Sequence, residues 1–233
     1  MKQMKNKKNL IVFIDSSTRC FYVAIKDTQT NACQVKIFTQ KELKGEAVLS
    51  VVKGLFEEYG YTNENIEMLC TTSGPGSLTG LRICMSTLKT MAQVLNLPIV
   101  TLPTLFALEK SYTVDELTGF GNVYTILMAR KNHYYIRERG QKKEAFLLLT
   151  TEEILRETDV RSFYLVEGQS AIEQFGDKSL IKFVNIELNP EKIMDLCYVD
   201  FKAGHARSYL ECLPEYGGKS VAEINYEKRN KEI

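Results

Sequence analysis

The order of strands and helices predicted along the chain occurs twice, and this repeat constrains the fold more than any other feature. Three strands, a helix, a strand and a helix are indicated between Leu10 and Leu95, and roughly the same order returns after Val123. Strands that alternate with helices favour an α/β architecture, in which helices cover the faces of a sheet. The sequence therefore predicts two α/β lobes, although the repeat is not visible in the residues themselves.

The predicted elements follow from apolar runs, turn residues and helical spacing. In the first half, strands are predicted at Leu10–Ile14, Phe21–Lys26, Gln34–Thr39, Ile66–Cys70 and Pro98–Leu102, and helices at Glu42–Tyr59, Leu78–Leu95 and from Pro103. In the second half, strands are predicted at Val123–Met128, Tyr134–Arg137, Ala145–Leu149 and Phe163–Val166, and helices from Glu152, over Gln169–Phe175 and from Pro190 to about Arg207. We expect an N-terminal lobe over 1–107, a C-terminal lobe over 108–213 and a tail over 214–233.

Composition excludes several classes of protein. A formal net charge of +1 over 233 residues argues against a strongly basic nucleic-acid binder that works alone. No apolar run approaches the ~20 residues of a membrane span. The six cysteines form no C-x-x-C pair and the two histidines lie far apart, so no zinc site is indicated. We expect a cytoplasmic protein without a metal or a cofactor.

A glycine-rich segment, TTSGPGSLTGLR, joins a predicted strand to a predicted helix over Thr71–Arg82. Such a junction can bind an anion, because free amides and the helix dipole meet there. Both common phosphate-binding patterns fail, since each needs a glycine where Thr79 stands. The alternative is a tight strand-to-helix junction. If an anion or nucleotide site survives, its residues are Asp15, Ser16, Ser17 and Thr18 after the first strand, with Gly74, Gly76 and Ser77.

The two helices that flank this segment carry more apolar residues than one stripe requires. A surface helix normally needs one apolar stripe, so a second stripe is either buried or offered to a partner. The residues alone leave both readings open. The candidate interface residues are Val48, Val52, Leu55, Phe56, Ile83, Thr87, Met91 and Val94.

Two segments together resemble the TsaB (YeaZ) family. They are IDSSTR after the first strand and SGPGSLTGLRICMSTLKTMA from Ser73. The family pattern is G-P-G-S-F-T-G-[LV]-R-I-G, and here Leu78 replaces the phenylalanine and Cys84 the last glycine. Weaker similarity covers Ala129-Arg130 with the tyrosines that follow, and Pro214-x-Tyr216 with Ala222-Glu223.

The resemblance implies an actin-like, Hsp70-like (ASKHA) fold of two lobes. It also implies a role in making threonylcarbamoyladenosine beside the anticodon of tRNA. In that pathway the paralogue TsaD transfers the threonylcarbamoyl group, TsaB dimerises with TsaD and activates it, and the ATPase TsaE joins the complex. Family members pair through the helices of the first lobe, so a homodimer through the same surface is the expectation when the partner is absent. Contact with tRNA would be indirect.

The sequence lacks features that catalysis on this fold would need. The metal site of TsaD-like proteins is an H-x-x-x-H pair, and this chain has none. The segment TILMARKNHYY, where the second lobe would carry its phosphate loop, has no glycine. We therefore predict a non-catalytic subunit, a pseudoenzyme. The alternatives are a small-molecule kinase or ATPase with an actin-like fold and, more remotely, a peptidase, which scattered histidines disfavour.

Overall fold

Two five-stranded sheets form the framework of the part of the chain that the structure describes. A computed structural model describes residues 7–39, 41–43, 45–112, 121–156, 162–173, 175 and 181–217. The first sheet contains β1 (Leu10–Asp15), β2 (Cys20–Asp27), β3 (Cys33–Thr39), β4 (Ile66–Gly74) and β5 (Ile99–Pro103). The second contains β6 (Asn122–Arg130), β7 (His133–Glu138), β8 (Leu147–Thr150), β9 (Ser162–Glu167) and β10 (Ile181–Ile186).

The two sheets have the same topology. The first has the order β3-β2-β1-β4-β5, and the second has the matching order β8-β7-β6-β9-β10. In each sheet the first three strands are antiparallel and the remaining two are added in parallel. The strand repeat predicted from the sequence is thus present in the structure, and β6 is the counterpart of β1.

Burial on both faces explains the continuous apolar run of β1. Ile11 and Phe13 point into a core shared with the second sheet, whereas Val12 and Ile14 point into a separate core on the opposite face. All six residues of β1 are buried. A strand covered on both faces needs apolar residues at every position rather than at alternate ones.

Six helices, within the described residues, cover these faces. They are α1 (Val48–Tyr59), α2 (Leu78–Leu95), α3 (Thr104–Ser111), α4 (Thr151–Arg156), α5 (Gln169–Ile172) and α6 (Pro190–Lys202). Helices α1 and α2 pack on one face of the first sheet. Helix α6 packs on the other face of that sheet, and α3 contacts strands of both sheets. Of these helices, none has the length and apolar composition needed to cross a bilayer.

The largest differences between the prediction and the structure concern the limits of two helices and one strand. Helix α1 begins at Val48 rather than Glu42, because a short 3-10 turn occupies Gly45–Ala47. Helix α6 ends at Lys202 rather than near Arg207. Gly204, two residues after this end, adopts a φ of 83°, which is not helical. Strand β10 was not predicted. The lobe limits at 107 and 213 stay a prediction, since α6 follows the second sheet in sequence and packs on the first.

Candidate functional site

Asp15, at the end of β1, has its carboxylate surrounded by donors from its own chain. Ser17 donates to Oδ1 from its backbone nitrogen at 2.9 Å and from its hydroxyl at 2.7 Å. Thr72 donates to Oδ2 from its nitrogen at 3.0 Å and from its hydroxyl at 2.5 Å, and the hydroxyl of Thr71 is at 3.3 Å. The side chain is 0% exposed. Its oxygens are therefore engaged in joining β1 to β4.

The glycine-rich segment lies directly against the turn that follows Asp15. The backbone nitrogen of Ser77 donates to the carbonyl of Ser17 at 2.7 Å. A Cβ added to Gly76 would stand 2.4 Å from that carbonyl oxygen, and a Cβ on Gly80 would stand 1.7 Å from the oxygen of Ser16. Only residues without a Cβ permit this approach. The hydroxyl of Ser77 accepts from the nitrogen of Gly80 at 3.2 Å and caps α2.

The predicted loop residues are thus brought together. Ser16 and Ser17 contact the glycine segment, and Thr18 is buried in the same turn. Gly74 lies at the end of β4 with a φ of 116°. Among the described residues, no three metal-ligating side chains come together. The arrangement fixes the direction in which α2 leaves the sheet, and anion binding there stays a prediction.

Sequence reasoning missed the matching junction of the second lobe, between β9 and α5. Gly168 follows Glu167 there with a φ of 97°, and a Cβ on it would stand 2.4 Å from the guanidinium carbon of Arg19. Arg19 Nε donates to Glu167 Oε1 at 3.2 Å across the two lobes. Burial raises the pKa of the Glu167 carboxyl, and the nearby guanidinium opposes that shift. The sequence did contain a signal for this junction: in EGQS, a glycine follows the predicted strand of the second lobe, as glycines follow the corresponding strand of the first lobe.

A groove separates α1 from α2 on the outer side of the first lobe. Its cavity volume is about 330 Å³. Apolar side chains predominate among the lining residues, which are Leu49, Val52, Lys53, Phe56, Asn63, Thr90, Met91, Val94 and Leu95. Val94 is 75% exposed and Leu49 is 50% exposed. Large exposed apolar side chains beside such a groove are typical of a protein–protein contact.

The eight predicted interface residues divide between this groove and the core. Val48, Val52, Leu55, Phe56 and Met91 are buried, because α1 and α2 pack against the sheet and each other. Val48 and Leu55 do not line the groove and belong to the core. The prediction that these two side chains are free to contact a partner is therefore wrong. Ile83 and Thr87 are half-buried, and Val94 is exposed. Much of the second apolar stripe is therefore explained by packing within the lobe.

Cys84 replaces a glycine of the family pattern and is also part of this core. It is 1% exposed and packs with Met85 and Leu88 of α2 beneath α1. Burial raises the pKa of its thiol. A buried cysteine of this kind behaves as a small apolar residue.

Comparison with known proteins shows the family to which the chain belongs. The family model described as "TsaD: tRNA N6-adenosine threonylcarbamoyltransferase" matches residues 41–213. The chain belongs to this family. The tRNA threonylcarbamoyladenosine biosynthesis protein TsaB of Haemophilus influenzae is 23% identical over 215 residues, which cover 82% of this chain and 90% of that protein. TsaB of Buchnera aphidicola is 24% identical, over 72% of this chain and 78% of that protein.

Solved structures of similar proteins have the same fold. YeaZ from Pseudomonas aeruginosa superposes with a TM-score of 0.70 at 19% identity, covering 89% of this chain and 99% of that one. A Pseudomonas aeruginosa protein described as similar to peptidase YeaZ gives a TM-score of 0.71 at 18% identity, covering 90% and 100%. The TsaB (YeaZ) resemblance and the predicted fold of two α/β lobes are confirmed.

Proposed function

We propose that this protein is a cytoplasmic subunit of the machinery that makes N6-threonylcarbamoyladenosine in tRNA. In this role it performs no catalysis itself: it pairs with TsaD, activates it, and joins TsaE in the larger complex. Its contact with tRNA is through that complex. The family match and the curated relatives named TsaB support the pathway.

The proposed pairing with TsaD rests on the groove between α1 and α2. It offers a concave apolar surface, with Val94 and Leu49 exposed at its border. The partner that fits is an apolar helical face of the related TsaD chain. When TsaD is absent, a second copy of this chain can bury the same surface.

The interlobe loops support a non-catalytic role over the kinase or ATPase alternative. A phosphate-transfer site on these loops would need open carboxylate oxygens or amides between the lobes. Here the oxygens of Asp15 accept from Ser17 and Thr72, and the guanidinium of Arg19 covers Gly168. These groups are thus already engaged in contacts within the chain, which supports the non-catalytic reading.

The decisive experiment is co-expression with TsaD of the same organism, followed by size-exclusion chromatography with mass measurement. Val94→Asp is the test variant, because Val94 is 75% exposed and we expect an aspartate there to leave the isolated chain folded. Val199→Asp is the matched control, since Val199 is 66% exposed on α6, on the opposite face of the first sheet. Burial of an unpaired charge at the contact should weaken pairing about a hundredfold.

We expect wild type and Val199→Asp to elute with TsaD as a heterodimer, and Val94→Asp to elute alone. If TsaD is recovered equally with both variants, the contact with TsaD does not lie at the groove. Failure of the wild-type chain to bind TsaD would overturn the proposed function itself. Restored modification of adenosine in tRNA, measured in a strain depleted of its own TsaB, completes the test.

A further inference from the structure

The last described residues of the chain, Arg207 to Gly217, run along α2 toward the cleft between the lobes. The segment starts at the edge of the first sheet, where Arg207 and Ile99 exchange backbone hydrogen bonds of 2.8 and 3.0 Å. Midway, Lys89 Nζ donates to the carbonyl of Cys212 at 3.0 Å. Near the start of α2, Arg82 Nε donates to the hydroxyl of Tyr216 at 3.3 Å. The segment therefore follows α2 from its C-terminal to its N-terminal end.

The same segment lies on the glycine-rich loop of the first lobe. The backbone nitrogen of Glu215 donates to the carbonyl of Ser73, at the end of β4, at 2.6 Å. The carbonyl oxygen of Glu215 lies so close to Gly74 that a Cβ there would stand 2.0 Å from it. Glycine is therefore needed at position 74 for two reasons: it leaves room for the segment, and it adopts a φ of 116° without strain.

The next two residues reach the second lobe. The hydroxyl of Tyr135, on β7, donates to the carbonyl of Tyr216 at 3.2 Å. Gly217 lies between the two lobes: a Cβ on it would stand 2.7 Å from Pro75 and 2.7 Å from the Tyr135 ring. A few consecutive residues therefore contact both lobes at the glycine loop.

We propose that residues 207–217 form a strap that fixes α2 and the glycine loop to the second lobe and keeps the interlobe cleft closed. Cys212 anchors the middle of the strap, since it is 1% exposed in the core beneath α1 and α2. The Arg19–Glu167 ion pair is a second connection between the lobes, at the other junction. The strap couples the orientation of α2 to the second lobe. It is independent of the partner proposed above, because each of its contacts is intramolecular.

The test compares Glu215→Pro with Glu215→Ala in the full chain, by hydrogen–deuterium exchange and mass spectrometry. Both variants remove the same side chain, and only proline removes the N–H that donates to Ser73. Exchange is followed in peptides that cover 73–81, 133–137 and 207–217. We expect Glu215→Pro to exchange about tenfold faster in all three, and Glu215→Ala to match the wild type.

Two results would overturn the strap. In the first, 207–217 exchanges faster while 73–81 and 133–137 keep the wild-type rate, so the segment leaves without loosening the lobes. In the second, no peptide changes, so the bond to Ser73 does not hold the segment. If the circular dichroism spectrum of Glu215→Pro shows that the variant is unfolded, the Tyr135→Phe variant is used in the same exchange experiment instead. Loss of that hydroxyl should speed exchange in 207–217 and 73–81 about fivefold, and an unchanged rate would equally overturn the strap.

Discussion

Replacing Gly80 with alanine should destabilise the protein, although alanine is the better helix former. Gly80 lies in the first turn of α2, against the backbone of the β1–β2 turn. An added Cβ would stand 1.7 Å from the Ser16 carbonyl oxygen and 2.7 Å from its carbonyl carbon. Since both atoms are backbone, α2 or the turn must shift by more than about an ångström, a distortion at the upper end of overpacking effects.

The magnitude follows from two opposing terms. Overpacking against backbone costs about 3 kcal/mol, and the higher helix propensity of alanine returns about 1 kcal/mol. The net loss of about 2 kcal/mol should lower the Tm by roughly 4–8 °C for a chain of this size. The matched control is Gly54→Ala in α1, where no atom lies within 4 Å of the added Cβ. That variant gains helix propensity alone, and its Tm should rise by roughly 2–4 °C.

Thermal unfolding followed by circular dichroism at the helix band measures both shifts in parallel. Because the chain has no tryptophan, tyrosine fluorescence provides the second probe. A Gly80→Ala protein that melts at or above the wild-type temperature would refute the reasoning that glycine is needed for close backbone packing. A fall in Tm for Gly54→Ala would show instead that the propensity term is wrong.

The other predictions concern the interlobe loops. Asp15→Asn should destabilise the chain by about 3 kcal/mol, measured by urea unfolding, because an amide cannot accept from all the donors that the carboxylate satisfies. The folded state raises the pKa of Glu167 above 4.5, so it holds the proton more tightly than the unfolded chain. The stability from this group is therefore present below pH 4.5 and declines as the pH rises through the folded pKa. Glu167→Gln should remove this decline, and a constant difference in urea midpoint between variant and wild type across that window would contradict it. Calorimetric titration with ATP and Mg²⁺ should give no binding in the millimolar range, and a measurable Kd there would favour the ATPase alternative.

Elements with strong local signals could be predicted from the sequence. Helix α2 has the predicted limits, because Ser77 caps its start and Asn96, with a φ of 51°, ends it. Strand β1 was found from its continuous apolar run. Strand β10 was missed since Lys182 and Asn185 interrupt its apolar pattern, and its place depends on pairing with β9. In α1, no side-chain cap marks the start at Val48.

The candidate site was predicted in part: the sequence groups the turn after Asp15 with the glycine loop, and the structure brings the two together. The contact of Ser17 with Asp15 is local and follows from the residue types. Arg19 and Glu167 lie 148 positions apart, and no local pattern connects them. Likewise, two apolar stripes on neighbouring helices cannot show which stripe meets the sheet. Val48 was placed in the interface for that reason, although it is fully buried.

The position of α6 has a consequence for synthesis on the ribosome. The first sheet is complete once β5 has emerged at Pro103, but the helix that covers its inner face begins only at Pro190. Until then Ile11, Phe13 and Val100 lack the cover that α6 and the second sheet provide. A nascent chain that ends before Pro190 should therefore expose apolar surface and need protection from aggregation. We therefore expect the two lobes to reach their native state together, after α6 has left the exit tunnel.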